Sequence, residues 1–170
     1  NQLFDFGNKN TSHLGKVGLD FYMNDKNTIS FYTNQSRFDG SGNGKTTVDY
    51  VSGPNADIIQ LFDNDNGNTS QTYNLDYKHD FAKAGENIEL EINHNINKGT
   101  ENALFSLPLL NSAYSNYVNT DGNNTIINLD YVNPLSEKAK LELGLESRIE
   151  STKNSFNISN HYDSDFDFKR

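Results

Sequence analysis

The side chains best placed by type and spacing to do chemistry are carboxylates. Asp20, Asp76 and Asp130 each occupy the third position of a recurring segment: Gly18-Leu19-Asp20-Phe21, Asn74-Leu75-Asp76-Tyr77 and Asn128-Leu129-Asp130-Tyr131. Glu89, Glu91, Glu142 and Glu146, with Glu150 beyond them, recur at even spacings in two later runs. General acid–base catalysis needs two carboxyl groups whose environments push their pKa values apart. Rows of solvated glutamates offer no such contrast, so no catalytic residue and no enzymatic reaction are expected.

Other chemical motifs are weaker. Gly40-Ser41-Gly42-Asn43-Gly44-Lys45-Thr46 has the look of a phosphate loop, but Asp39 stands where the motif needs its first glycine. No helical pattern follows to aim backbone amides at a phosphate. Asp63-Asn64-Asp65-Asn66-Gly67 and Asp163-Ser164-Asp165-Phe166-Asp167 carry the hard oxygens Ca²⁺ takes. In the first, Gly67 comes one place early for a calcium loop and Asn74 replaces its glutamate. The second lacks the glycine. The expectation is no cofactor and no metal, with Ca²⁺ the one ion these segments bring to mind. His13, His79, His94 and His161 show no ligand spacing, although His79 and His94 share one parity in one hairpin and are expected to be near neighbours. The Asn-x-Ser triplets, such as Asn34-Gln35-Ser36, are what chance gives in a chain so rich in asparagine.

Composition narrows the elements that position these groups. Of 170 residues, 27 are Asn, 12% are aromatic, and the mean hydropathy is −0.78. Asparagine favours turns and is a poor helix former. No apolar run approaches the roughly 18–20 residues of a membrane helix. The formal net charge of −9 and the lack of a basic stripe argue against nucleic acid as a partner. Cysteine is absent, which removes disulfides and thiolate metal sites.

The alternation of apolar and polar residues predicts three hairpins, at about 14–37, 69–97 and 124–150. Val17, Leu19, Phe21, Ile29 and Phe31 share one face of the first. Leu75, Tyr77, Ile88, Leu90 and Ile92 do so in the second, and Leu129, Tyr131, Leu141, Leu143 and Leu145 in the third. Short turns close the hairpins. Connections at about 38–68 and 98–122 read as long loops, the second holding an apolar patch from Leu104 to Leu110. Pro108 forbids a central strand there. A loop is expected around Ser151 to Asn154, with a seventh strand starting near Phe156. Strands of about 10–12 residues match the roughly 9–11 that cross a bilayer when tilted. Short turns at one end and long loops at the other are the plan of a transmembrane β-barrel. The predicted fold is therefore an all-β antiparallel meander of long hairpins, part of such a barrel. The fifteen apolar residues named above are expected to face lipid. Asp20, Asp76, Asp130, Glu89, Glu91, Glu142 and Glu146 are expected to face the lumen, because a carboxylate in hydrocarbon is costly. Tyr73, Tyr77, Tyr131, Phe21, Phe31 and Phe81 read as an aromatic girdle at the headgroup level.

Two stretches, Gly18 to Ser30 and Leu129 to Gly144, resemble a recurring hairpin of TonB-dependent outer-membrane receptors. The resemblance spans about 14–150. It implies a barrel of some 22 strands in the cell outer membrane, importing a bulky nutrient or siderophore with energy delivered through TonB. It also implies partners: outer-membrane lipid, the rest of the barrel, a plug domain, and the TonB system reached through regions outside this chain. Six or seven strands fall short of that barrel, so the whole chain 1–170 is expected to be a partial barrel domain, and its open sheet edges should favour self-association. Two other readings remain open. One is a soluble β-sandwich serving adhesion or carbohydrate binding. The other is an outer-membrane barrel acting mainly in protein–protein interaction.

Overall fold

The computed structural model describes residues 1–50 and 57–161. Six strands form one antiparallel sheet: β1 Gln2–Asn24, β2 Asn27–Val48, β3 Ile58–Asp80, β4 Asn87–Leu107, β5 Ser112–Ser136 and β6 Ala139–His161. Their spatial order is their sequence order, so the sheet is a pure meander. The expected all-β antiparallel fold is what the chain adopts. A sandwich requires a second sheet packed on the first, and the described residues form only one.

The three predicted hairpins lie within β1–β2, β3–β4 and β5–β6, and their turns all fall at the same end. At the first, Asn24 pairs with Asn27, and the Asn24 side chain accepts from the Lys26 backbone N–H at 3.0 Å. At the second, Phe81 N–H donates to the Glu86 carbonyl at 2.9 Å. Gly85 sits there at φ 79°, a left-handed conformation that a side chain would resist. At the third, the Lys138 N–H donates to Ser136 Oγ at 3.3 Å.

Among the described residues, most of the two expected long loops is strand. β2 runs unbroken to Val48 and β3 begins at Ile58, so most of 38–68 is paired strand. Of 98–122, only the 3-10 turn Pro108–Leu110 and Asn111 interrupt the ladder between β4 and β5. Pro108 opens that turn, where its missing N–H is no loss. Residues 151–154 are also strand, and β6 continues past Phe156 without a break. The physical cause is the backbone. Each strand added beyond the first hairpins satisfies a full set of N–H and C=O groups, whatever the propensity of the side chains.

Strand length is the main consequence. β1 has 23 residues. At about 3.3 Å per residue it is roughly 75 Å long, about twice what a tilted crossing requires.

Candidate functional site

The ladder pairings sort the side chains onto two faces. One face carries all fifteen apolar residues expected to meet lipid. Phe21, Ile29, Tyr77, Leu90, Leu129 and Leu145 form one cross-strand row. Leu19, Phe31, Leu75, Ile92 and Ile127 form the next, and Ile88, Tyr131 and Leu143 line up on the side of the turns. From Leu141 to Ile149 in β6 this band covers about 27 Å of strand at the usual rise. At the tilt of barrel strands, that is about 20 Å of height, near the roughly 25 Å apolar belt of outer-membrane barrels. We call this the banded face.

Aromatic groups mark the turn side of the band. His79 and Phe81 meet edge to face at 4.6 Å, and Phe81 and Tyr131 at 6.2 Å. Their polar tips reach away from the band. Tyr131 Oη donates to Glu86 at 2.6 Å, and Tyr77 Oη donates to Asn27 Oδ1 at 2.7 Å. An amphipathic ring with one wet end is what a headgroup region selects. His79 and His94 share this face, but two apolar rows separate them, so they are not neighbours. His79 Nδ1 lies 2.7 Å from Asn27 Oδ1, whereas His94 Nδ1 lies 2.8 Å from Thr125 Oγ1.

The opposite, amide face holds the seven acidic residues predicted for the lumen. Asp20, Ser30, Asp76, Glu91, Asn128 and Glu146 form a single row. The three aspartates are not equivalent. Asp130 lies one row nearer the turns, opposite Glu89, because the third hairpin enters the sheet in a different register from the first two. Glu142 is nearer still to the turn. Side-chain pairs knit this face together. Asn74 Nδ2 donates to Asn93 Oδ1 at 2.7 Å and to Glu91 Oε1 at 3.2 Å, and Thr72 Oγ1 donates to Asn95 Oδ1 at 2.8 Å. Arg148 pairs with Glu146 at 3.4 Å and Lys140 with Glu142 at 2.6 Å.

Burial runs opposite to that of a soluble domain. In the central strand β3, Asn74 on the amide face is 1% exposed, while its neighbour Leu75 on the banded face is 42% exposed. Gly40, Gly42 and Ala103, also buried, share the amide face with Asn74. Only Ala103 and Ala113 are buried apolar residues among those described. A packed soluble core would instead bury the leucines.

The weaker motifs resolve into strand. Gly40, Gly42 and Gly44 of the phosphate-loop look-alike all point to the amide face of β2. A side chain at Gly42 would collide with Asn8 and Asn64, one at Gly40 with Asn10 and Asn66, and one at Gly44 with the Phe6 ring. These glycines leave room for side chains of the flanking strands, which the loop reading missed. In Asp63-Asn64-Asp65-Asn66, the aspartates and asparagines alternate to opposite faces of β3 and do not converge. No group of three or more metal-ligating side chains occurs among the described residues. The Asp163 to Asp167 segment lies outside them. Leu104 to Leu107 complete β4, and Leu109 and Leu110 in the 3-10 turn are 61% and 64% exposed.

Sequence reasoning missed one feature of the amide face. Near the end away from the tight turns, Phe6, Phe62, Phe105 and Tyr114 fall in one cross-strand row with Gly44. The rings of Phe6 and Phe62 are 6.4 Å apart, Phe62 and Phe105 5.1 Å, and Phe105 and Tyr114 4.8 Å; Phe4 extends the row at 6.0 Å from Phe6. The four residues are scattered in sequence, and only their similar distance from the tight turns would have revealed the row.

A two-faced, single-layer sheet with strands this long defines the wall of a β-barrel. The model of the outer membrane protein beta-barrel family matches residues 79–170, more than half of the chain. The protein belongs to that family, and its place is the cell outer membrane. Searched against curated proteins, the chain finds no match. Among solved structures it is similar to the ferric-catecholate import receptor Fiu from E. coli K12, in its closed form. The identity is 9% and the TM-score 0.35, over 92% of this chain and 31% of that one. Similarity to the membrane pore complex of pneumolysin is lower, with 9% identity and a TM-score of 0.18 over 93% of this chain and 31% of that one. The chain thus spans about a third of the length of the structures it matches.

Proposed function

We propose that this chain is a segment of the barrel wall of a TonB-dependent receptor that takes up a bulky solute. The banded face meets the acyl chains, and the amide face borders the aqueous lumen. The observation that carries this reading is the inversion at Asn74 and Leu75: the polar side chain is crowded and the apolar one is bare. A sheet curved about a wet interior crowds the side chains it encloses and splays those it turns outward. The strand length supports a wall that rises well beyond the bilayer, as a receptor for large solutes requires. The unpaired edges of β1 and β6 then join further strands of the same barrel, because barrels leave no open edge in lipid. The carboxylates of the inner wall bind solvent and solute and perform no covalent step.

The test is uptake by cells carrying the intact protein, measured with isotope-labelled solutes before and after removal of the TonB-type energy protein. The reading predicts that any solute lost on deleting this protein is also lost on deleting TonB. Uptake that persists without TonB would overturn it. A second reading, a barrel acting mainly through protein contacts, draws on the exposed Leu109 and Leu110 beside Tyr50 at the end away from the tight turns. It predicts loss of partner binding without loss of uptake when both leucines are replaced by Ser.

A further inference from the structure

We infer that the aromatic row of the amide face is a binding wall for neutral carbohydrate chains. The inference deepens the proposed uptake function and rests on its assignment of the amide face to the lumen. Phe6 lies eleven positions beyond Val17, the last apolar row of β1, so the rings stand about 35 Å along the strand from the band. They are well outside the bilayer, on the side from which solute arrives. The row stays accessible: Phe4 is 56% and Phe6 54% exposed, and Phe62, Phe105 and Tyr114 are half-buried, with Phe105 and Tyr114 stacked on each other so that the stack offers its outer faces and edges. The Phe6 ring lies across the backbone of Gly44, the one position in the row where no side chain stands in its way.

The chemistry around the rings selects the ligand. The next row inward carries Asn8, Gly42, Asn64, Ala103 and Asn116, so the aromatic strip is bordered by a strip of amides. A sugar ring has an apolar C–H face, which stacks on an aromatic ring, and hydroxyls at its rim, which pair with amides. Amides both donate and accept, as hydroxyls do. Ionic solutes fit less well. Among the described residues no basic side chain lies on this part of the amide face; the nearest in β1 is Lys16. Further inward the wall carries Asp20, Asp76, Glu89, Glu91, Asp130 and Glu146, which repel an anion in transit. A row of rings crossing several strands, rather than a single ring in a pocket, fits an extended oligosaccharide better than a monosaccharide.

The test uses the intact protein in detergent, with fluorescently labelled maltoheptaose, cello-hexaose and xylohexaose as neutral probes and oligogalacturonate as the anionic one. Binding is followed by polarisation. The expected result is binding of at least one neutral probe, with oligogalacturonate much weaker. Phe62→Ala and Phe105→Ala should each weaken it by about tenfold, equivalent to about 1.4 kcal/mol. Leu104→Ala, next to Phe105 but on the banded face, should leave it unchanged. Heat-modifiable gel mobility verifies that each variant is folded. Absence of binding across the neutral probes, or equal losses in Leu104→Ala and Phe105→Ala, overturns the inference. TonB-dependent uptake of a charged solute with no glycan binding defeats the inference but leaves the uptake reading intact. Glycan binding with TonB-independent uptake does the reverse.

Discussion

Asn74 and Leu75 are adjacent in a central strand, and the asparagine is the buried one: 1% exposed against 42%. Asn74 gives both of its Nδ2 hydrogens to partners on the next strand, Asn93 and Glu91. Its Oδ1 has no partner. Replacing it with Ala removes two hydrogen bonds and strands the Asn93 acceptor, at a cost of about 1–3 kcal/mol. Asn74→Asp should cost more, because it loses the donors and adds a carboxylate beside Glu91 and Asp76. Urea unfolding in lipid vesicles reads both variants. Asn74→Asp proving no worse than Asn74→Ala would contradict the contact geometry.

Leu129 lies in the middle of the apolar band, in the row of Leu90 and Leu145. On the proposed orientation, a charge there meets hydrocarbon. Leu129→Arg should destabilise the folded barrel by about 2–4 kcal/mol. Asn119 is on the same face of the same strand, but ten residues nearer the opposite end and beyond the band. Asn119→Arg should be near neutral. The comparison is made by the midpoints of folding in phosphatidylcholine vesicles, and equal effects at the two sites would remove the band from the account.

The division between what the sequence revealed and what it concealed follows the apolar band. Within 14–37, 69–97 and 124–150, one face is apolar and the other polar, so period-2 alternation is visible and the hairpins are legible. Beyond the band both faces carry mostly polar residues. Around Gly40 to Gly44 and Asp63 to Gly67 the alternation vanishes, and Asn, Gly and Ser read as loop. Cross-strand hydrogen bonds override that propensity, as they commonly do in strands. The site divides in the same way. The acidic wall was legible because its residues alternate with apolar ones. The aromatic row was not, since Phe6, Phe62, Phe105 and Tyr114 come together only through the register of four strands.

Gly44 shows the same dependence on register. A side chain there would need the space that Phe6 fills, so Gly44→Val should cost about 1–3 kcal/mol through overpacking. Gly15 in β1 has nothing within 4 Å of an added Cβ. Gly15→Val should be tolerated, and the same vesicle unfolding assay compares the pair. Equal tolerance at both positions would place Phe6 elsewhere.

Arg37 and Asp39 lie on the banded face beyond its apolar rows, joined at 2.7 Å and mostly exposed. The Arg37 guanidinium holds the Asp39 carboxyl below the usual carboxylate range, chiefly through its hydrogen bond. A depressed folded-state pKa gives a contribution that is present above the unfolded value, about 3.9. It is lost as pH falls through the lower, folded one. The effect on stability is small for so exposed a pair, so the measurement is a carbon NMR titration of Asp39. Arg37→Gln should return the Asp39 midpoint upward, and high salt should do so in part. An unmoved midpoint would mean the pair does not form in solution.

Which face of the sheet meets lipid is read directly by spin labels along β4. The chain has no cysteine of its own, so single cysteines from 87 to 107 are the labels within it, any cysteine elsewhere in the intact protein being replaced by serine. In vesicles carrying the intact protein, collision with oxygen reports lipid, and collision with a water-soluble nickel chelate reports the aqueous phase. We expect oxygen to dominate at Ile88, Leu90 and Ile92, nickel at Glu89, Glu91 and Asn93, and the alternation to fade past Asn97. Nickel dominating at Leu90 with oxygen at Glu91, or no alternation from 88 to 93, would contradict the proposed orientation.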